Sequence, residues 1–138
     1  MSGIGGSIAK TIKSGGLAKF ELWTDEAAKL AQTVVERLDA KNIETVRLVF
    51  ADQHGILRGK TITSRMLTSA FASGIGVPST LLLKDTSHRT VFDVWNGETT
   101  GIGLLIGGAS DLLIVPDPNC FYPLPWSPHS AILLCDVI

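Results

Sequence analysis

The sequence predicts an α+β domain in which a mixed sheet packs against one or two helices. Three observations carry this. The hydrophobic repeat changes from a helical period to strict alternation at Thr45, short strand-like runs outnumber helical ones, and strands and helices do not alternate regularly as a doubly wound parallel sheet requires.

The first element after a glycine- and serine-rich start is a helix over about 25 to 41. Thr24 offers an N-cap hydroxyl, and Asp25 and Glu26 place carboxylates near the positive helix end. Apolar residues then recur at Ala27, Leu30, Ala31, Val34, Val35 and Leu38, so one face is expected to be buried. From Thr45 the period is two, with Val46, Leu48 and Phe50 on one face and Arg47, Val49 and Ala51 on the other. Asp52-Gln53-His54-Gly55 has turn composition and Ile56 to Thr63 resumes as a strand, which predicts a hairpin. Ser64 is placed to cap a short second helix carrying Met66, Leu67, Ala70 and Phe71, ended by Gly74.

Further short strands are expected at Thr80 to Lys84, Thr90 to Val94, Leu112 to Val115 and Ala131 to Cys135, with a rigid proline-rich loop between the last two. The segment from Gly74 to Arg89 reads as a polar, mobile stretch of the kind that carries binding groups. Residues 1–20 read as a flexible tail and 21–138 as one domain. The lysines of the first sixteen residues, with no acid among them, also suit a weak targeting peptide, but the glycine and serine content favours a tail.

Composition excludes several classes of function. A chain of 138 residues with 45% hydrophobic and 18% charged residues is long and apolar enough to bury one core. Its low charge suggests that some apolar surface meets a partner. A net charge of -1, from 12 basic against 13 acidic residues, supplies no field for nucleic acid or an anionic membrane. Runs such as Leu112 to Val115 are far too short to span a bilayer, which needs about 20 apolar residues. A soluble, cytoplasmic protein is expected, with Cys120 and Cys135 as buried free thiols.

No self-contained active site is legible. The glycines at 3 to 6 and at 101 to 108 neither follow a strand nor open a helix with Gly-Lys-Ser/Thr, so they do not form a phosphate loop; Gly101, Gly103, Gly107 and Gly108 read as turn and bulge residues. His54, His88 and His129 lie in separate loops without metal-ligand spacing, so no metal site is predicted. Neither cysteine has a neighbouring base, and Asp111 and Asp117 suit turn and cap bonding. No catalytic residue is assigned.

Some residues exceed what a core needs. Arg47, Arg58 and Lys60 place cations along the hairpin, as a solvated face or as contacts to another domain. Trp126 stands among Pro123, Pro125 and Pro128, which fix the backbone so that a large aromatic can either cover its own core or anchor an interface.

The hairpin VRLVFADQHGILRGK at 46 to 60, the helix ending at Gly74, Ser110-Asp111 through Pro116-Asp117-Pro118, Pro125-Trp126 and Cys135-Asp136-Val137 occur in an order and spacing that resembles the amino-terminal domain of the glutamine synthetase family. The resemblance covers about residues 44 to 137 and implies a β-grasp fold. It further implies an enzyme that ligates glutamate to ammonia or an organic amine with ATP and magnesium or manganese. The metal, nucleotide and most glutamate contacts would belong to a later domain, so this chain alone is expected to bind none of these cofactors and to be inactive. Its implied partners are its own catalytic domain and neighbouring subunits of a homo-oligomeric ring, with Arg58, Lys60 and Trp126 as interface candidates.

One departure bears on substrate. Where ammonia-using members carry Phe-Asp-Gly-Ser-Ser, whose aspartate serves the neighbour's ammonium site, this chain has Val77-Pro78-Ser79-Thr80. A carboxylate there favours a cation and can take its proton. Either Asp85 replaces it, or the acceptor is an amine other than ammonia, with Pro78 and Ser79 lining its site. The alternative to a ligase domain is a stand-alone β-grasp interaction module without catalysis.

Overall fold

The computed structural model describes residues 5–91 and 110–138. Among these residues three helices, α1 (Gly5–Lys13), α2 (Asp25–Ala40) and α3 (Leu67–Ser73), accompany five strands. The strands are β1 (Thr45–Ala51), β2 (Leu57–Thr63), β3 (Ile75–Pro78), β4 (Asp111–Pro123) and β5 (Ser130–Val137), in the sheet order β2-β1-β5-β4-β3. The central β1–β5 pair is parallel and the others are antiparallel, so the sheet is mixed and the domain α+β as expected.

Helix α2 starts as its sequence dictates: the Thr24 hydroxyl accepts the Ala27 N–H at 3.1 Å. Its end is a Schellman arrangement, with Asn42 left-handed at φ 51° and the N–H groups of Asn42 and Ile43 donating to the Asp39 and Leu38 carbonyls. Ala28, Ala31, Val34 and Leu38 form the buried stripe, while Leu30, expected inside, is exposed at its rim. This stripe meets Val46, Leu48 and Phe50 of β1, Leu133 of β5 and Ile114 and Phe121 of β4 in one core. Alternation thus predicts the inward face of β1 correctly.

The hairpin forms with its turn held by Asp52. One carboxylate oxygen accepts the His54 and Ile56 N–H groups, each at 2.9 Å, and Gly55 takes the φ of 75° that such a turn requires. Gly59 lies so close to β1 that a Cβ there would fall 1.8 Å from the Leu48 carbonyl oxygen. Ser64 does not cap the second helix with its side chain: it opens a 3-10 turn, Ser64–Met66, and its N–H donates to the Glu44 carbonyl. Leu67, Ala70 and Phe71 are buried as expected, and Met66 is exposed.

Three expectations are corrected. Residues 5–20 carry α1 and a 3-10 turn, Ala18–Phe20, rather than a flexible tail, because Ile12 and Leu17 are fully buried against the core. Thr80 to Lys84 is not a strand: Ser79–Leu83 is a 3-10 turn with Leu83 buried, and the strand lies just upstream as β3. The proline-rich stretch is not one loop, since β4 runs through Pro116 and Pro118 to Pro123 and absorbs them with a register shift between Pro116 and Phe121. Most of the predicted strand Thr90 to Val94 and the glycines at 101 to 108 lie outside the described residues. Among the described residues, no helix is long and apolar enough to cross a membrane.

Candidate functional site

Strand β3 follows directly on Gly74, whose φ is 69°, and among the described residues forms one edge of the sheet. Proline suits this position, since an edge strand does not need every N–H. Pro78, the last residue of β3, is exposed and sits opposite Asp111 at the start of β4. Ser79 is fully buried: its N–H donates to the Ser110 carbonyl at 2.9 Å and its hydroxyl accepts from the Ser110 hydroxyl at 3.0 Å. Of the predicted pair, then, Pro78 presents surface while Ser79 anchors the strand end. The segment from Gly74 to Arg89 is in part a sheet edge with Val77 buried, not a polar loop throughout.

Asp85 lies further along, in a tight turn. Its carboxylate accepts the N–H groups of Ser87 at 2.9 Å and Arg89 at 2.8 Å and pairs with the Arg89 side chain at 3.4 Å. The Arg89 amide bond, ahead of the Ser87 amide and the Arg89 charge, holds its pKa below the usual carboxylate value against the opposing effect of burial. These local bonds tie the Asp85 carboxylate into its own turn. Asp111, read from sequence as a turn residue, is instead an exposed strand residue with no hydrogen-bond or ion-pair partner among the described residues. A Cβ at Gly76 would stand 3.9 Å from its Oδ2, so this carboxylate borders the β3 edge. Only cross-strand pairing brings it beside Pro78, which spacing along the sequence does not reveal.

The hairpin cations reach this same region. Arg58 Nε donates to Asp52 Oδ2 at 2.6 Å, with both side chains almost wholly covered, and its Nη1 lies 2.6 Å from His88 Nδ1. Lys60 Nζ donates to the Gly76 carbonyl at 2.5 Å and Gln53 Nε2 to the Lys84 carbonyl at 3.3 Å. Burial of Asp52 raises its pKa, but the Arg58 bond and two amide bonds outweigh this and hold it below the ordinary value. Arg58 and Lys60 are thus engaged within the chain, whereas Arg47 on the outer sheet face is exposed. Trp126 is 76% exposed and does not cover its own core; Leu124, two residues earlier, is the buried residue of that turn.

Among the described residues no group of three or more His, Cys, Asp or Glu side chains is placed to hold a metal ion. Both cysteines are free. Burial pushes the Cys135 thiol up to about 12, and burial followed by Asp117 raises Cys120, so neither is an activated nucleophile. A groove of about 440 Å³ between Trp23, Pro116, Asp117, Asp136 and Ile138 includes none of the predicted site residues in its lining.

Residues 29–138 match the profile of the glutamine synthetase N-terminal domain. The chain is 34% identical over 128 residues to a gamma-glutamylanilide synthase from Acinetobacter sp, a match covering 88% of this chain and 25% of that protein. It is 28% identical over 115 residues to a glutamate–isopropylamine ligase from Pseudomonas sp, covering 83% and 24% respectively. With a glutamine synthetase of Mycobacterium tuberculosis it shares 32% identity over 109 residues, covering 75% and 20%. A solved structure of GmaS with ADP shares its fold at a TM-score of 0.54 and 24% identity, over 75% of this chain and 20% of that one. The chain spans a quarter or less of the length of these proteins. It belongs to the glutamine synthetase family, and residues 29–138 are that family's amino-terminal domain.

Proposed function

We propose that this chain is the amino-terminal domain of an ATP-dependent ligase that joins glutamate to an organic amine. The family match carries the ligase reading, and Pro78 carries the choice of acceptor. At the position where ammonia-using members hold a carboxylate, Pro78 offers an apolar ring without charge or N–H, the rival Asp85 is held in its own turn, and the carboxylate beside Pro78 is that of Asp111 on the next strand. An amine with apolar substituents fits such a wall better than ammonium does. Two relatives bear names with anilide and isopropylamine, which supports this choice.

In this reading the domain contributes the β3 edge to the acceptor site of a neighbouring subunit in a ring, and Trp126 contributes to the contact. ATP and magnesium or manganese supply phosphoryl activation of glutamate within the catalytic domain. The described residues here offer no ligand cluster for the metal, so no chemical step is assigned to them. In this reading the chain alone folds and is inactive, because the catalytic groups belong to the catalytic domain. The test is amide formation by the ligase carrying this domain, with ammonia, aniline and isopropylamine, in wild type and in Asp85→Asn. Preference for an organic amine that survives Asp85→Asn is expected. Preference for ammonia that Asp85→Asn abolishes would make Asp85 the missing carboxylate and refute the proposal.

A further inference from the structure

The residues that precede the matched family segment, 29–138, meet the C-terminal end of α3, one glycine before the proposed acceptor edge begins. A helix end leaves its last carbonyls without partners inside the helix. Here the Gly74 N–H takes the Ala70 carbonyl, and the Ala72 carbonyl is taken from outside by the Leu17 N–H at 3.0 Å. The neighbouring Gly16 N–H donates to the Ser73 hydroxyl oxygen at 3.3 Å. Ile12 and Leu17 flank this strap with fully buried side chains, and the Trp23 ring meets Phe71 of α3 edge-on, centroids 5.7 Å apart.

The approach is close enough to dictate residue type. A Cβ at Gly15 would fall 2.3 Å from the Ala72 carbonyl oxygen and 2.6 Å from the Ala72 Cβ, both on the last turn of α3. At Gly16 a Cβ would meet the Ser73 hydroxyl at 3.3 Å, a contact that a small side-chain movement relieves. Neither glycine has a positive φ, so the requirement at Gly15 is one of space.

We infer that the segment Ile12–Trp23 is a clasp that fixes the α3–β3 joint and thereby sets the position of Pro78 in the acceptor site. This rests on the acceptor-site reading of β3 given above. The strap docks on Ala72 and Ser73, and only Gly74 separates these from the first residue of β3. A displacement at the helix end therefore passes directly into the edge strand. Gly15, Gly16 and Leu17 act through β3 and are positioning residues.

The test has two arms. In the first, amide exchange is followed in this chain for wild type, Gly15→Ala and Gly16→Ala. Gly15→Ala is expected to speed exchange at Ile75, Val77 and Ser79 by about tenfold, while β1 and β5 are unchanged and Gly16→Ala has a smaller effect in the same place. Unchanged exchange at β3, or equal acceleration in β1 and β5, would overturn the clasp. Should Gly15→Ala fail to fold, Leu17→Ala, which keeps the N–H bond and removes the buried side chain, is read the same way. In the second arm, acceptor and glutamate KM are measured for the ligase carrying Gly16→Ala. A rise in acceptor KM of about threefold with unchanged glutamate KM and kcat is expected. Local exchange effects without any change in acceptor KM would leave the clasp standing and overturn its role at the acceptor site.

Discussion

Lys60 and Gly76 lie in the two outermost strands of the sheet, yet the Lys60 ammonium donates to the Gly76 carbonyl at 2.5 Å. The register explains the direction of this reach. Lys60 sits opposite Leu48, which is fully buried, so its side chain leaves β2 on the core side of the sheet. Arg58, opposite the buried Phe50, does the same and meets His88. The sheet is curved enough for one edge to brace the other, and the braced strand is the one bearing Pro78.

Lys60→Met is accordingly expected to raise amide exchange at Ile75 and Val77 by about threefold, because a hydrogen bond to a charged group is lost at an exposed site. Lys60→Arg, which keeps a cationic donor, is expected to restore most of the protection. Equal exchange in all three proteins, measured by NMR or mass spectrometry, would remove this brace from the account.

The Asp52–Arg58 pair predicts an acid dependence. The folded pKa of Asp52 lies below its unfolded value of about 3.9, so its ionised form contributes stability that is complete above that value and is lost as pH falls through the folded value. Urea titrations are expected to show wild-type stability declining below about pH 4 and a flatter decline for Asp52→Asn, which is also less stable at neutral pH. Asp25, Asp85 and Asp117 are shifted downward too, so some slope remains in the variant. Parallel curves would contradict the assignment.

The thiols provide a second solution test. With both values raised, Cys135 to about 12, neither thiol carries much thiolate at pH 8. Alkylation by iodoacetamide is expected to be slow in the native chain and to accelerate on addition of denaturant. Rapid native labelling of Cys135 would show that its surroundings are more open than the fold implies.

Phe71 connects the strap, α3 and the core, being fully buried and stacked edge-on against Trp23. Phe71→Ala is expected to cost about 3–5 kcal/mol, and Met66→Ala, at an exposed position of the same region, about 0.5 kcal/mol or less. Equal losses in chemical denaturation would mean that α3 is not seated as described.

Legibility in the sequence followed how local the cause of each element is. Thr24, the stripe from Ala28 to Leu38 and the alternation of Val46, Leu48 and Phe50 announce α2 and β1 because cap and period lie within a few residues of each other. The run Leu81-Leu82-Leu83 has no period to separate strand from turn, and tertiary packing makes it a 3-10 turn. Strand β3 was hidden by Gly74, Gly76 and Pro78, which read as loop residues but suit a sheet edge. Pro116 and Pro118 similarly masked the continuity of β4. The strap was missed because its glycines signal flexibility locally, whereas their reason is the approach to Ala72, 57 residues from Gly15 in sequence. At the candidate site, Pro78 was visible only through family resemblance, and Asp111 beside it only through strand pairing.

Acceptor choice at Pro78 is read from the ratio of kcat/KM for isopropylamine to that for ammonia, in the ligase carrying this domain and in its Pro78→Asp variant. The ratio is expected to exceed one in wild type and to fall about tenfold in the variant, because a carboxylate at position 78 favours the ammonium ion. A wild-type ratio below one that Pro78→Asp leaves unchanged would contradict this choice.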